Sequence, residues 1–242
     1  MNPREYLVPI CVACLLLTAG CTAPIDSPSS PELTSSEVTD SNSLIRAHTE
    51  TLRSQTFTVR STTTVRDAND TFRTVTNRTW RVDPRSPVRA SAVRTRTVTG
   101  DVPERSQRAP DRITSWRHGN DTVVRIRSGN DTRVRDVQLL NSSVRLNSAL
   151  HRQLLYRYST RRNTTVETVT RNGTSFYRVR ANLNDTHVTS NASMTLLVHP
   201  SGYVRQIETR QTVAYRSGPR VITQTVRFER VGTTTVETPE WA

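Results

Sequence analysis

Lysine is absent from this chain; all 34 of its basic residues are Arg. Cysteine is almost absent, with three in 242 residues, all within the first 21. That excludes a disulfide-stapled scaffold. Aromatic residues make up 5% and apolar residues 33%, below the roughly 45–50% of an ordinary globular domain. Any core must therefore be thin, built from one face of each element. Beyond residue 20 no apolar run is long enough to cross a bilayer as a helix. No G-x-S-x-G, H-E-x-x-H, P-loop or glycine-rich dinucleotide fingerprint occurs. His48, His118, His151, His187 and His199 share no ligand spacing with a carboxylate or Cys. The expectation is a chain with no catalytic residues, no metal site and no cofactor, and not an enzyme.

What is present begins with the leader. Met1 to Tyr6 is a short basic n-region, and Leu7 to Ala19 is an almost unbroken apolar stretch ending in Leu17-Thr18-Ala19-Gly20-Cys21. Small residues before a Cys suit peptidase cleavage and lipid attachment to the new N-terminal thiol. Residues 1–20 thus read as a lipoprotein signal peptide and Cys21 as the lipidation site; an uncleaved anchor with Cys21 incidental is the alternative. Cys11 and Cys14 spell C-x-x-C inside the apolar leader, where neither redox nor metal chemistry has a setting. One acyl chain binds membranes only marginally, so stable tethering needs a second.

Residues 21–41 are rich in Ser, Thr and Pro and form a flexible tether or, alternatively, an O-glycosylated stalk. Residues 42–242 read as one domain. Leu44, Ile45, Ala47, His48 and Leu52 recur at helical spacing, which predicts a helix over 42–54. The period then drops to two. From Phe57 to Arg66 the apolar groups hold odd positions, with Thr and Arg between them, the pattern of a half-buried antiparallel strand. Strands are predicted at 71–82, 88–98, 112–118 and 122–127, with turns at 67–70, 119–121 and 128–131. Residues 137–158 return to helical spacing and predict one or two helices. Strands resume at 164–171, 174–183, 192–199, 202–216 and 219–231, with hairpin turns at Asn172-Gly173 and Pro200-Ser201-Gly202. A single apolar sheet face must be covered. The fold class is α+β: a large curved antiparallel sheet, a half-barrel, with one to three helices on its concave face.

The order of pieces resembles a family of uncharacterised haloarchaeal lipoproteins. The resemblance rests on the LTAGC lipobox, the Ser/Pro tether, the helix Ser43 to Leu52 and the strand Phe57-Thr58-Val59. Near the end it rests on the hairpin Val198 to Arg205 and the tail Gly232 to Trp241. That family is similar in layout to LolA, LolB and the mycobacterial lipid-binding lipoproteins. The resemblance implies a half-open barrel that carries lipid on its concave face, at the outer face of the cytoplasmic membrane. The chain departs from haloarchaeal habit in charge, being basic by +13.

Two functional readings follow. The first is a membrane-anchored carrier or receptor for a hydrophobic ligand such as lipid. Its candidate lining is Phe57, Val59, Phe72, Trp80, Tyr177, Leu196, Tyr203 and Phe228, each of which could equally be core under the helices. The second is a surface lipoprotein whose Arg-rich face binds acidic envelope polymers or a protein. Nucleic acid is not expected, because the Arg are spread and aromatics are too few to stack bases. Nine N-x-Ser/Thr sequons occur; those at Asn69, Asn120 and Asn130 fall on predicted turns and are the glycosylation candidates.

Overall fold

The computed structural model describes residues 40–101, 109–137, 142–159, 164–183 and 185–242. The leader, Cys21 and nearly all of the tether lie outside the described residues, as do the sequons at Asn141, Asn163 and Asn184.

Helix α1 spans Ser41–Ser54, and the Asp40 side chain caps it by accepting from Asn42 N at 2.9 Å. Its face of Leu44, Ile45, Ala47, His48 and Leu52 is buried. Six strands follow: β1 (Phe57–Asp67), β2 (Phe72–Asp83), β3 (Arg89–Gly100), β4 (Arg112–His118), β5 (Asp121–Ser128) and β6 (Asp131–Asp136). The helical stretch resolves into two short helices, α2 (Ser142–Ala149) and α3 (Arg152–Ser159). Five strands complete the chain: β7 (Thr164–Arg171), β8 (Thr174–Leu183), β9 (Thr189–Val198), β10 (Val204–Tyr215) and β11 (Gly218–Glu229). The expected helix and strands are found within a few residues. Strand β6 was not expected: its sequence Asp131-Thr132-Arg133-Val134-Arg135-Asp136 offers no apolar face, and every residue in it is exposed.

All eleven strands form one antiparallel sheet in the order β6-β5-β4-β3-β2-β1-β11-β10-β9-β8-β7. Each half is a meander of neighbouring hairpins. The halves meet where β1 pairs with β11, and the segment carrying α2 and α3 connects the two edge strands. Register puts Val59 between Trp80 and Phe228, and Phe57 opposite Val82. These residues share the concave face with Ile207, Leu196 and Val179. The helices cover that end of the sheet. Leu44 and Leu52 of α1, Leu150 and Leu155 join this face in one buried cluster. Each such side chain contributes about 1.5–3 kcal/mol by leaving water.

Further along the strands the concave face changes. Ser61, Arg78 and Arg94 form one cross-strand row, and Thr63, Thr76 and Gln224 the next. Beyond them Val65 and Ile222 are again apolar partners. The division into Arg/Thr outside and apolar inside therefore holds best under the helices, and even there Arg117 turns inward beside Ala90 and Leu146.

The chain after β11 crosses the convex face. Gly232 N donates to the Thr56 carbonyl at 2.7 Å, and Thr234 N to Thr56 Oγ1 at 3.1 Å. Thr234 Oγ1 bonds Thr58 Oγ1 at 2.9 Å. The strap ends with Trp241 under the Arg125 guanidinium, 5.0 Å from the ring centre.

Candidate functional site: a groove on the concave face

The expected lining residues do not surround an open cavity. Phe57, Val59, Leu196 and Phe228 are completely buried, and Tyr203 is 7% exposed. All five belong to the packed cluster under the helices, and Trp80 and Tyr177 sit half-buried at its margin. Phe72 lies apart, at the opposite end of β2, beneath the Arg220 guanidinium at 5.1 Å. The cavity beside Trp80, Val82, Ala90, Leu146 and Ala149 is only about 20 Å³, room for roughly one water.

Open space lies on the rest of the concave face, between α3 and the strands. One chamber of about 500 Å³ is lined by Arg78, His151, Arg152, Leu154 and Gln224, among others. A second, of about 650 Å³, is lined by Tyr156, Leu183, Ala192, Val213, Tyr215 and Ile222, with Gln211 and two threonines. Gln153 and Arg157 line both chambers, so the two adjoin as one groove. Neither is lined by an Asp or Glu among the described residues, although the chain has 21.

The first chamber is cationic. Arg78 and Arg94 are direct cross-strand partners on the same face. Burial, and secondarily the neighbouring Arg94 charge, holds Arg78 below the usual guanidinium range. Its guanidinium lies 5.8 Å from the Trp80 ring centre. Arg152 reaches Tyr156 Oη at 2.9 Å, but its Nε is buried without a partner among the described residues. Arg94 Nε and His151 Nε2 are likewise buried and unpartnered there. His151 occupies the turn between α2 and α3 at φ 50°. Burial, then the Arg78 charge, lowers its pKa to about 4, so its ring is neutral at pH 7.

His48 works differently. Its Nδ1 accepts from Val204 N at 3.1 Å, which leaves Nε2 to donate to the Leu150 carbonyl at 3.0 Å. Its ring stands edge-on to Phe228 with centres 4.8 Å apart. One side chain thus ties α1 to β10 and to the turn between the other two helices. Complete burial lowers its pKa to about 4.

Among the described residues no group of His, Cys, Asp and Glu could hold a metal ion. The turn asparagines Asn69, Asn120 and Asn130 are exposed. Two signals for the groove were already in the sequence. Arg78 has the strand parity of Trp80 and Val82, and Arg94 that of Ala90 and Ala92. Ile222 likewise has the parity of Val226 and Phe228. What the pattern does not carry is where along each strand the helices stop.

No protein-family model and no curated protein matches the chain. Solved structures with similar architecture do exist. LprF from Mycobacterium bovis aligns at 11% identity, covering 82% of this chain and 96% of that one, with a TM-score of 0.42. A LolA superfamily protein from Nitrosomonas europaea aligns at 10% identity, covering 84% and 99%, with a TM-score of 0.31. A chain of the MucA/MucB complex from Pseudomonas aeruginosa aligns at 12% identity, covering 83% and 59%, with a TM-score of 0.38.

Proposed function

We propose that this is a membrane-tethered, extracytoplasmic protein that binds a hydrophobic ligand without catalysis, and that the ligand lies in the open groove. The observation that supports this is the second chamber. Its volume of about 650 Å³ falls in the roughly 300–1,000 Å³ range of ligand sites. Leu183, Ala192, Val213 and Ile222 give it an apolar floor, and Tyr156 and Tyr215, both substantially exposed, sit at its rim. The Leu17-Thr18-Ala19-Gly20-Cys21 motif supplies the export and tethering part of the reading.

The test is lipid extraction of the purified protein followed by mass spectrometry, beside the Ile222→Asp variant. Wild type is expected to carry a co-purifying amphiphile, and the variant to lose at least about tenfold in occupancy with its melting temperature nearly unchanged, because Ile222 is only half-buried. Equal occupancy in both proteins, or none in wild type, would sink the reading.

A second reading has one observation in its favour. On the convex face Arg112, Arg125 and Arg127 converge with Thr114 and Thr132 around a depression of about 300 Å³. An acidic polymer or protein bound there would be released as salt is raised, since screening shortens to ~3 Å at 1 M. Retention on anionic beads that ignores salt counts against this reading.

A further inference from the structure

The two chambers differ in chemistry but are continuous, and this defines their occupant more closely. Across strands, like charges directly opposite one another are destabilising. Yet Arg78 and Arg94 face each other on the concave side, and neither makes an ion pair among the described residues. Other opposed Arg pairs, such as Arg66–Arg73 and Arg112–Arg127, lie on the open convex face, and some Arg there find acids: Arg60 pairs with Glu229, and Arg178 and Arg180 with Glu167. Arg152 approaches the same chamber from α3, and its contacts to Asn147 and Tyr156 are with neutral groups. Buried donor nitrogens on Arg94 and Arg152 have no acceptor among the described residues. The three side chains are only part-buried, but a buried donor nitrogen with no acceptor is costly unless a ligand oxygen completes the site.

We propose that the groove takes an anionic amphiphile, with an oxyanion headgroup held by Arg78 and Arg152 and a hydrocarbon tail along Val213 and Ile222. This deepens the hydrophobic-ligand reading and rests on it for the tail. Planar guanidinium groups suit the head, because their forked N–H donors match phosphate and carboxylate oxygens. Gln224 and Gln153 line the head chamber as neutral polar groups. His151, neutral at pH 7, adds no charge of its own. The shared chemistry is the oxyanion, whether it arrives on a lipid or as a free phosphate.

The experiment uses the full lipid-tethered chain in phosphatidylcholine nanodiscs. Calorimetric titrations compare octyl phosphate, octanol and inorganic phosphate, with wild type beside Arg78→Gln and Arg152→Gln. Wild type is expected to bind octyl phosphate at least about tenfold more tightly than octanol, a difference of about 1.4 kcal/mol. Inorganic phosphate should bind at least about tenfold more weakly than octyl phosphate. Each variant should lose most of the preference for octyl phosphate while octanol affinity stays the same. The two variants approach the head from opposite walls, so a folding failure in one leaves the other as the test. Equal affinity for octyl phosphate and octanol overturns the headgroup assignment and leaves the hydrophobic-ligand reading standing. Inorganic phosphate binding as tightly as octyl phosphate overturns the amphiphile in favour of a free-anion site. Failure of both alkyl probes to bind removes the hydrophobic-ligand reading itself.

Discussion

His48 is an ordinary polar residue in the sequence and a structural clip in the fold. Its helical spacing with Leu44 and Leu52 was legible, and so was its inward direction. Its two backbone partners, Val204 and the Leu150 carbonyl, were not, because they lie 156 and 102 residues away. The protonation consequence has a definite sign. The folded imidazole has a pKa of about 4 against 6.5 unperturbed. The unfolded chain therefore binds more protons between those values, and stability falls as pH falls through that window. The effect saturates below about pH 4 and is worth roughly 3 kcal/mol at most. His151 has the same sign. Urea midpoints measured from pH 7 to 4 are expected to decline in wild type, and to decline about half as steeply in His48→Gln at a lower overall stability. A slope unchanged by the substitution would mean that His48 is not the group responsible.

Asp83 shows the same limit of local reading. It is 3% exposed and accepts from Arg85 Nε at 2.7 Å and from Arg89 at 2.7 Å. Arg85 first, and then Arg89, hold its carboxyl well below the usual range. The sequence shows a Val-Asp-Pro turn, but not that the acid points inward against two guanidinium groups.

At the scale of elements, period-two alternation carried most of the sheet. Turn chemistry set the hairpins: Asn172-Gly173 joins β7 to β8, both residues at positive φ. Two elements escaped. Strand β6 has no apolar face to betray it; it is an edge built of charges, which discourages pairing with another chain. The strap from Gly232 to Trp241 has only Val236 and Trp241 as apolar anchors and reads as a polar tail. Its hydrogen bonds to Thr56 and Thr58 are what make it structure. A further position tests the register of β2 and β3. Gly100 sits at φ 81°, and a Cβ there would lie 2.1 Å from the Thr71 carbonyl oxygen. Because the obstacle is backbone, Gly100→Ala is expected to destabilise by about 2 kcal/mol or more, read as a lowered denaturant midpoint. The same change at Gly129, which has nothing within 4 Å of such a Cβ, should cost less, since only its positive φ is then strained.

For the whole molecule, composition announced a one-sided sheet but could not say which side each Arg takes. Of the Arg on strands, more take the convex face than the concave one, and ion pairs there such as Arg60–Glu229 are exposed and contribute about 0–1 kcal/mol each. A few turn inward, and those distinguish the groove from an ordinary apolar cavity. The tether belongs to this scale as well. Cys21→Ser is expected to move the protein from the membrane fraction to the soluble fraction of a lysed cell while leaving the melting temperature of the folded part unchanged. Membrane retention of that variant would point to the uncleaved anchor instead.

The position of β1 at the centre of the sheet has a consequence for how the molecule assembles. Every other ladder joins strands that follow one another in sequence, so each meander can form by short-range zippering. The β1–β11 ladder joins residues such as Val59 and Phe228, and its loop-closure entropy must be met before its contacts give any return. The last strand synthesised is the one that seals the sheet beside the first. Until it arrives, β1 presents Phe57 and Val59 along an open edge. The time between the appearance of β1 and that closure is when the chain is most exposed to strand exchange with another copy of itself.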